Sequence, residues 1–234
     1  MHLLKQKVAE VCAKRARRKE ERPGELLAAA LDLFVEKGFA ATRAEEVAAR
    51  AGVSKGTLFL YYKSKEELFK AVVRENISNR FHEWTNEFES YEGSTTELLR
   101  YAMVAWWAHV GETKASGITK LMMSEAQNFP ELAQFYEQEV IAPARALLQR
   151  ILQRGIDSGE FRKIDVNYSV FCVLAPMIFL NMWKHSVGAC VPPHFDLVPQ
   201  DYINAQLDIM LHGLCAGQAS GAASSNPSSG SRLS

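Results

Sequence analysis

Apolar residues recur along most of the chain with the spacing of an α-helix. From Leu27 to Phe34 they stand at i, i+3, i+4 and i+7, which predicts a first helix over 25–37. The same periodicity predicts a long helix over 64–88 and further helices through 94–155. Since no segment alternates apolar and polar residues convincingly, the predicted fold class is all-α.

Two proline-containing segments follow the same pattern. The predicted helix from Pro130 to Gly155 contains Pro143, which predicts a kink, because proline removes a hydrogen bond from the helix interior. A second helix, from Asp165 to Gly188, is apolar almost all round, and a last one is predicted from Gln200 to Leu214.

The stretch 42–67 predicts two short helices joined by a glycine turn. Thr42 with Glu45 has the pattern of a capping box before the first helix. Gly52 favours the left-handed backbone that ends a helix, and Ser54 is a good N-cap for the next one. This helix-turn-helix pattern is typical of proteins whose second helix enters a DNA major groove, although a short three-helix unit also occurs as packing alone.

The second helix and its exit carry groups that suit a nucleic acid. Lys55, Thr57 and Tyr61 are donors with the reach of phosphates or base edges. Gly56 lowers helix propensity, which favours a close approach by another backbone. Beyond them, two lysines flank the serine that begins the next helix, and this arrangement suits a phosphate.

The stretch 24–74 resembles the DNA-binding domain of the TetR family of bacterial transcriptional regulators. The matching residues are Ala29, Ala30, Leu33, Phe34, Gly38, Phe39, Thr42, Val47, Ala48, Ala51, Gly52, Val53, Ser54, Gly56, Thr57, Leu58, Tyr61, Lys63, Ser64, Lys65, Glu66 and Leu68. Two positions depart, because family members usually have Tyr in place of Phe59 and Phe in place of Tyr62, and the missing hydroxyl removes a usual phosphate contact. The candidate DNA-contacting residues are Thr42, Arg43, Ser54, Lys55, Gly56, Thr57, Phe59, Tyr61, Tyr62, Lys63 and Lys65.

Charge is distributed unevenly although the formal net charge is zero. Residues 1–80 hold 17 Lys and Arg against 11 Asp and Glu, and residues 81–234 hold 10 against 16. This asymmetry indicates a nucleic-acid-facing N-terminal part. A basic cluster before Pro23 reads either as a solvated tail or as an arm that adds DNA contacts, for which Arg17 and Arg18 are the candidates.

These patterns predict four segments. They are a basic arm over 1–22, a helix-turn-helix domain over 23–70, a ligand-binding and dimerisation domain over 71–215, and a small, polar, disordered tail over 216–234. The long helix over 64–88 is expected to act as a lever between the helix-turn-helix domain and the ligand-binding and dimerisation domain.

Large soft side chains are frequent in the second half, where they predict either a core or a pocket for an apolar or aromatic molecule. The candidate ligand-binding residues are Trp106, Trp107, His109, Met122, Glu125, Phe171, Met177 and Asn181. The resemblance implies that the last two helices pair with a second subunit. The candidate dimer-interface residues on these helices are Phe179, Trp183, Ile203, Leu207 and Met210.

Other functional classes find little support. There is no motif of a hydrolase, nucleotide-binding enzyme or metalloprotease, no metal-ligand spacing, and no cofactor is expected. The longest apolar run, Val170 to Leu180, has 11 residues and is too short for a bilayer, so a cytoplasmic location with no membrane contact is expected. A thiol sensor, using Cys172 or Cys190, is the alternative on the same scaffold.

The sequence therefore predicts a dimeric, non-enzymatic regulator that binds a double-stranded DNA operator and a small apolar or aromatic effector. Repression relieved by the effector is the favoured output, and activation is the alternative. The location expected is the bacterial cytoplasm, in association with the nucleoid.

Overall fold

The computed structural model describes residues 21–192 and 197–215. The helices are α1 over 21–37, α2 Ala44–Arg50, α3 Lys55–Tyr61, α4 Lys65–Val73, α5 Arg80–Glu89, α6 Thr95–Trp106, α7 Ser116–Glu125, α8 Pro130–Tyr136, α9 Ala142–Asp157, α10 Val166–Lys184 and α11 Pro199–Leu214. Within these ranges the β-type pairing is one isolated bridge between Phe161 and Cys215, so the all-α prediction is confirmed. The predicted arm with Arg17 and Arg18, and the tail 216–234, lie outside the described residues.

Three aromatic rings hold the N-terminal head together. Phe34 on α1, Phe39 just after it and Phe69 on α4 are fully buried, with ring centroids 5.4 to 5.6 Å apart. The chain leaves α1 through Gly38, whose φ of +85° is strained for any residue with a side chain. The predicted glycine turn between α2 and α3 is also present, with φ of +66° at Gly52.

The capping box predicted at Thr42 is wrong by one residue. Arg43 is the N-cap of α2, and its backbone N–H donates to Glu46 Oε2 at 3.2 Å. Thr42 is 1% exposed, and its hydroxyl donates to the carbonyls of Leu33 and Gly38. The hydroxyl therefore ties α1 to the following turn, and Arg43 rather than Thr42 occupies the cap position of α2.

The long helix predicted over 64–88 is present but interrupted. A π-helical turn, Arg74–Ser78, separates α4 from α5, and the second helix ends at Glu89. Ser64 caps α4 by accepting from the N–H of Glu67 at 3.2 Å. A capping box also begins α6, because Ser94 and Glu97 bond to each other's backbone N–H groups.

The predicted helix from Pro130 to Gly155 is interrupted just before Pro143 by a π-helical turn. The turn spans Glu137–Ile141, and the N–H of Ala142 donates to the carbonyl of Glu137, five residues back. A proline has no N–H for the regular i to i−4 bond, and the wider turn accommodates it at the start of α9.

Helix α10 packs against α7, α9 and α11 in the second domain. The stretch Val166–Cys190 is long and apolar enough to cross a membrane by length and composition, with 28% of its most apolar window buried. It is longer than the 11-residue apolar run from Val170 to Leu180, whose length alone predicts a segment too short for a bilayer. Its exposed side is relevant to dimerisation, as described below.

Candidate DNA-binding site and its link to the second domain

Helix α3 is held in place by its own cap and by one buried leucine. The hydroxyl of Ser54 accepts from the N–H of Thr57 at 3.1 Å and lies 2.9 Å from the Thr57 hydroxyl. Leu58 is fully buried and anchors the inner side of the helix. The opposite side, which includes Gly56, is exposed, and an added Cβ at Gly56 would meet only Ser54 Oγ at 3.8 Å.

Two predicted DNA contacts are free cations at the surface. The side chains of Arg43, at the start of α2, and Lys63, just after α3, are exposed. Neither has a carboxylate within salt-bridge distance among residues 21–192 and 197–215. Lys55 is different, because it pairs with Glu45 at 2.5 Å, and this contact lowers the pKa of the Glu45 carboxyl.

Lys65 has a structural role that the sequence did not indicate. Its ammonium donates to the carbonyls of Phe39 at 2.8 Å, Thr42 at 3.0 Å and Ala40 at 3.4 Å. It also lies 4.3 Å from the centroid of the Phe39 ring. The prediction that Lys65 binds a phosphate is therefore not supported, because its charge is already satisfied inside the head.

The remaining predicted contacts differ in their surroundings. Thr42 presents no hydroxyl to the surface, as described above, so it is not available to DNA. Tyr62 is half-buried against the core, and burial raises the pKa of its phenol. Phe59 is 37% exposed and Tyr61 is partly exposed at the end of α3. Leu60 is 84% exposed beside them, a position that its apolar side chain does not indicate in the sequence.

Glu125, predicted to bind a ligand, instead connects the second domain to the head. Its carboxylate at the end of α7 accepts from the backbone N–H groups of Phe39 at 2.8 Å and Ala40 at 3.0 Å. Phe129 packs its ring edge-on against Phe39 at 4.8 Å. The turn that follows α1 is thus held by the second domain on one side and by Lys65 on the other.

Helix α7 also contacts α1 near its own N-terminal end. Lys114 pairs with Asp32 at 2.6 Å. Gly117 lies so close to Val35 that an added Cβ would come within 2.6 Å of its side chain. A separate ion pair joins Arg74 after α4 to Glu139. The head therefore contacts the second domain along α7 as well as through the long helix.

Four of the predicted ligand-binding residues are buried inside the second domain. Trp107, Met122, Met177 and Asn181 are each 5% exposed or less. They come from the turn after α6, from α7 and from α10, so the fold brings together residues distant in sequence. The interior of this domain is therefore apolar, with one buried amide.

That amide belongs to a short polar chain between three helices. Asn181 Nδ2 donates to Thr119 Oγ1 at 3.4 Å, and Thr119 Oγ1 lies 3.5 Å from the hydroxyl of Tyr136. The other end of the amide, Oδ1, is buried and has no partner among the described residues. Burial raises the pKa of Tyr136, so its hydroxyl stays protonated and able to donate.

Three other predicted ligand-binding residues are placed differently. Phe171 is 50% exposed on the outer side of α10, and His109 is exposed, with Nδ1 3.4 Å from a nitrogen of Arg80. Trp106 is half-buried. Together with Glu125, the residues Phe171 and His109 do not join the buried group, because their helix faces turn away from it.

A cleft of about 530 Å³ lies beside the C-terminal end of α10. Trp107, Trp183, Lys184 and Pro199 are among the residues that line it. Lys184 donates to the carbonyls of Gly111, Glu112 and Thr113, and burial lowers the pKa of its ammonium. This cation is therefore committed to closing the turn after α6 and not to a ligand.

The predicted dimer residues divide into two groups. Ile203 and Leu207 are 0% and 1% exposed, so the prediction that they meet a second subunit is wrong: they pack inside the domain. Phe179 is 47% exposed, and Trp183 and Met210 are partly exposed. The apolar side of α11 that contains Ile203 and Leu207 therefore faces the core of its own domain.

A different apolar surface is exposed on the last two helices. Tyr168, Phe171 and Phe179 on α10 are 75%, 50% and 47% exposed, and Ile209 on α11 is 76% exposed. The α10 residues follow helical spacing and form one side of the helix. Cys172 lies on the same helix with its thiol exposed, and Cys190 is exposed as well.

Comparison with protein families gives two matches along the chain. Residues 26–72 match the model for bacterial regulatory proteins of the tetR family, and residues 92–186 match a tetracyclin repressor-like C-terminal domain. The two matched segments cover more than half of the chain.

Relatives with known names are transcription regulators. The chain is 44% identical over 164 residues to the HTH-type transcriptional activator FasR of Mycolicibacterium smegmatis, covering 70% of this chain and 74% of that protein. It is 27% identical over 176 residues to the HTH-type transcriptional regulator RutR of Escherichia coli, covering 69% and 74%.

A similar fold is found in the crystal structure of the transcriptional regulator FadR from Bacillus subtilis in complex with stearoyl-CoA. The TM-score is 0.66 at 22% identity, and the match covers 81% of this chain and 97% of that one. These similarities agree with the helix-turn-helix head and helical second domain described above.

Proposed function

Because the chain belongs to the TetR family of bacterial regulatory proteins, whose members bind DNA and ligands and act as dimers, we propose that it is a ligand-responsive regulator of transcription. In this proposal, α3 of each subunit enters the major groove of one half of a two-fold symmetric operator in the cytoplasm. The second domain binds a small apolar effector that changes the affinity for that operator.

The observation that carries the DNA-binding part is the outward face of the head. Arg43 and Lys63 are exposed cations at the two ends of the helix pair, without a carboxylate partner among residues 21–192 and 197–215, and Gly56 leaves the backbone of α3 open between them. Cations at both ends suit phosphates that flank a groove. An open backbone suits the approach of a duplex.

The proposed effector site lies around Asn181. Met177 lies one turn before Asn181 on α10, and Met122 lies one turn after Thr119 on α7. Both methionines are buried and have flexible side chains. An apolar effector would pack against the methionines and Trp107. A polar group of the effector would reach the unpartnered end of the Asn181 amide, whose lack of a partner otherwise costs stability.

We propose the exposed surface of Tyr168, Phe171, Phe179 and Ile209 as the dimer interface, with Trp183 and Met210 at its border. Large side chains exposed on adjacent helices suit a self-complementary contact about a two-fold axis. This surface replaces the interface that the sequence pattern had indicated on α11.

Repression relieved by the effector remains the output proposed from the sequence. Activation is the second candidate, and the 44% identical relative FasR, named an activator, favours it. Transcription in vitro from a promoter that carries the selected operator distinguishes the two, because added protein lowers transcript yield in one case and raises it in the other.

The test of the proposal begins with selection of bound fragments from random DNA. Binding of the selected operator is then measured by fluorescence anisotropy, with two probes that carry a large apolar group: stearoyl-CoA, through its acyl chain, and a ketosteroid. At least one probe should shift the operator affinity of the wild type and shift that of Asn181→Leu less. No selected sequence bound above random DNA would overturn the DNA-binding part, and no response to any apolar probe would overturn the effector part.

The effect of an oxidant on operator binding distinguishes the thiol-sensor alternative from the effector proposal. Because Cys172 and Cys190 are both exposed, a Cys172→Ser, Cys190→Ser double variant is a suitable control. If operator binding responds to oxidant in the wild type and not in this variant, the effector proposal is displaced by thiol sensing.

A further inference from the structure

Two adjacent apolar side chains dominate the exposed side of α3. Leu60 is 84% exposed and Phe59 is 37% exposed, while Leu58 between them and the cap is fully buried. Gly56, Phe59 and Leu60 stand at i, i+3 and i+4, so they share one side of α3, and Lys63 follows just beyond the end of the helix. An exposed leucine on this side contributes nothing to the core of the head.

The polar side chains around them are largely engaged with one another. Lys55 pairs with Glu45 and lies 5.8 Å from the centroid of the Phe59 ring. The hydroxyls of Ser54 and Thr57 are 2.9 Å apart. The most exposed side chain of α3, that of Leu60, is therefore apolar, and the engaged polar groups of Ser54, Lys55 and Thr57 lie towards the N-terminal end of the helix.

In the major groove, the 5-methyl group of thymine is the apolar group that base edges offer. We propose that Leu60, with Phe59 beside it, contacts thymine methyl groups and that this contact determines part of the operator sequence. The inference rests on the proposed DNA binding by α3 but does not depend on any effector.

Charge at the two ends of the helix pair favours DNA over a protein as the occupant. Arg43 and Lys63 are exposed and unpaired within the described residues, which suits a polyanion that also buries the leucine. An apolar partner protein would leave these two cations without a counterpart.

The experiment replaces each thymine of the selected operator by deoxyuridine, one position at a time in both half-sites. Deoxyuridine lacks only the methyl group and keeps the hydrogen-bonding pattern of the base. Burial of one methyl group corresponds to about fourfold in affinity, so the symmetric pair of substitutions should weaken wild-type binding about 15-fold at the contacted position.

Leu60→Ala should abolish most of this penalty at that position, while Leu60→Met, which keeps an apolar side chain of similar reach, should retain it. Since Leu60 is exposed, thermal unfolding of both variants should match the wild type, which controls for folding. Deoxyuridine outside the footprint is the matched DNA control.

Two results would overturn the inference while leaving DNA binding intact. One is a wild-type affinity that no deoxyuridine substitution weakens. The other is an equal penalty in the wild type and in Leu60→Ala at every thymine. Failure of the wild type to prefer any operator would contradict the proposed function itself, and the inference with it.

Discussion

Oε1 of Glu125 accepts a hydrogen bond from the backbone N–H of Phe39 across 2.8 Å, and this contact joins the end of α7 to the turn after α1. Lys65 binds the carbonyl groups of the same turn from within the head. A carboxylate and an ammonium thus hold opposite sides of one short segment. This turn therefore connects α7 directly to the head, in addition to the connection through the long helix.

Replacement of Glu125 by Gln should loosen this turn. The neutral amide keeps one acceptor but loses the charge and the second carboxylate oxygen, so the N–H groups of Phe39 and Ala40 should exchange with solvent faster. We expect a loss of about 1–2 kcal/mol in the free energy of unfolding, since hydrogen bonds to charged groups contribute about 1.5–3 kcal/mol and Glu125 is only partly buried.

Hydrogen exchange by NMR and unfolding in urea measure these two effects. Glu92→Gln is the matched control, because Glu92 is exposed in the loop before α6. Unchanged exchange at Phe39 and Ala40 in the Glu125 variant would show that the contact does not hold the turn.

Lys63 and Lys65 should behave differently when changed to Ala. Lys63→Ala removes an exposed cation, so the slope of log binding constant against log salt should flatten by about 0.9 per phosphate contact in each subunit. Lys65→Ala should leave that slope unchanged and lower the free energy of unfolding by about 1–3 kcal/mol, because carbonyl groups that it satisfies lose their partner.

Salt titrations of operator binding and urea unfolding of both variants test the assignment. If Lys65→Ala flattened the salt slope as much as Lys63→Ala, the ammonium would be contacting DNA after all. Lys163, an exposed lysine of the second domain, provides the matched Ala control.

Two residues on α11 should separate dimerisation from folding. Ile209→Asp places a charge on the exposed apolar surface and should shift sedimentation from dimer to monomer with little change in secondary structure. Leu207→Asp buries an unpaired carboxylate where the side chain is 1% exposed and should unfold the second domain.

Sedimentation velocity and circular dichroism distinguish the two outcomes. A stable dimer in Ile209→Asp would exclude this surface as the interface. A folded, monomeric Leu207→Asp would instead restore the interface that the sequence pattern indicated.

The stability of the second domain should depend on pH through His185. Burial, with the nearby charges of Lys184 and Lys120, lowers the pKa of His185 below its ordinary 6.5, and its Nε2 lies 2.7 Å from the Ser116 hydroxyl. The unfolded chain therefore takes up a proton more readily than the folded one below about pH 6.5. Stability is present above that pH and is lost as pH falls towards the lowered folded pKa.

In His185→Gln, which keeps a polar partner for Ser116 but does not titrate, the free energy of unfolding should decline less between pH 7 and 5.5 than in the wild type. Urea unfolding at the two pH values measures the difference. An equal decline in both proteins would mean that His185 has the same pKa folded and unfolded.

The local pattern of the sequence was sufficient for the elements of the head. Ser54, Gly52 and Gly38 act through neighbouring backbone groups, so their roles are readable from spacing alone. Helical periodicity likewise predicted the all-α class, since it depends only on which residues recur on one side of a helix.

Tertiary structure decided the roles of residues whose partners are distant in sequence. Lys65 and Glu125 are ordinary charged residues in a sequence, yet they meet at the turn containing Phe39, 26 and 86 residues away. Apolar periodicity on α11 identified a buried side but not what covers it, so Leu207 was assigned to a partner although it packs within its own chain. A pattern along one helix specifies which side is apolar, whereas the packing of all the helices determines which apolar surface remains exposed.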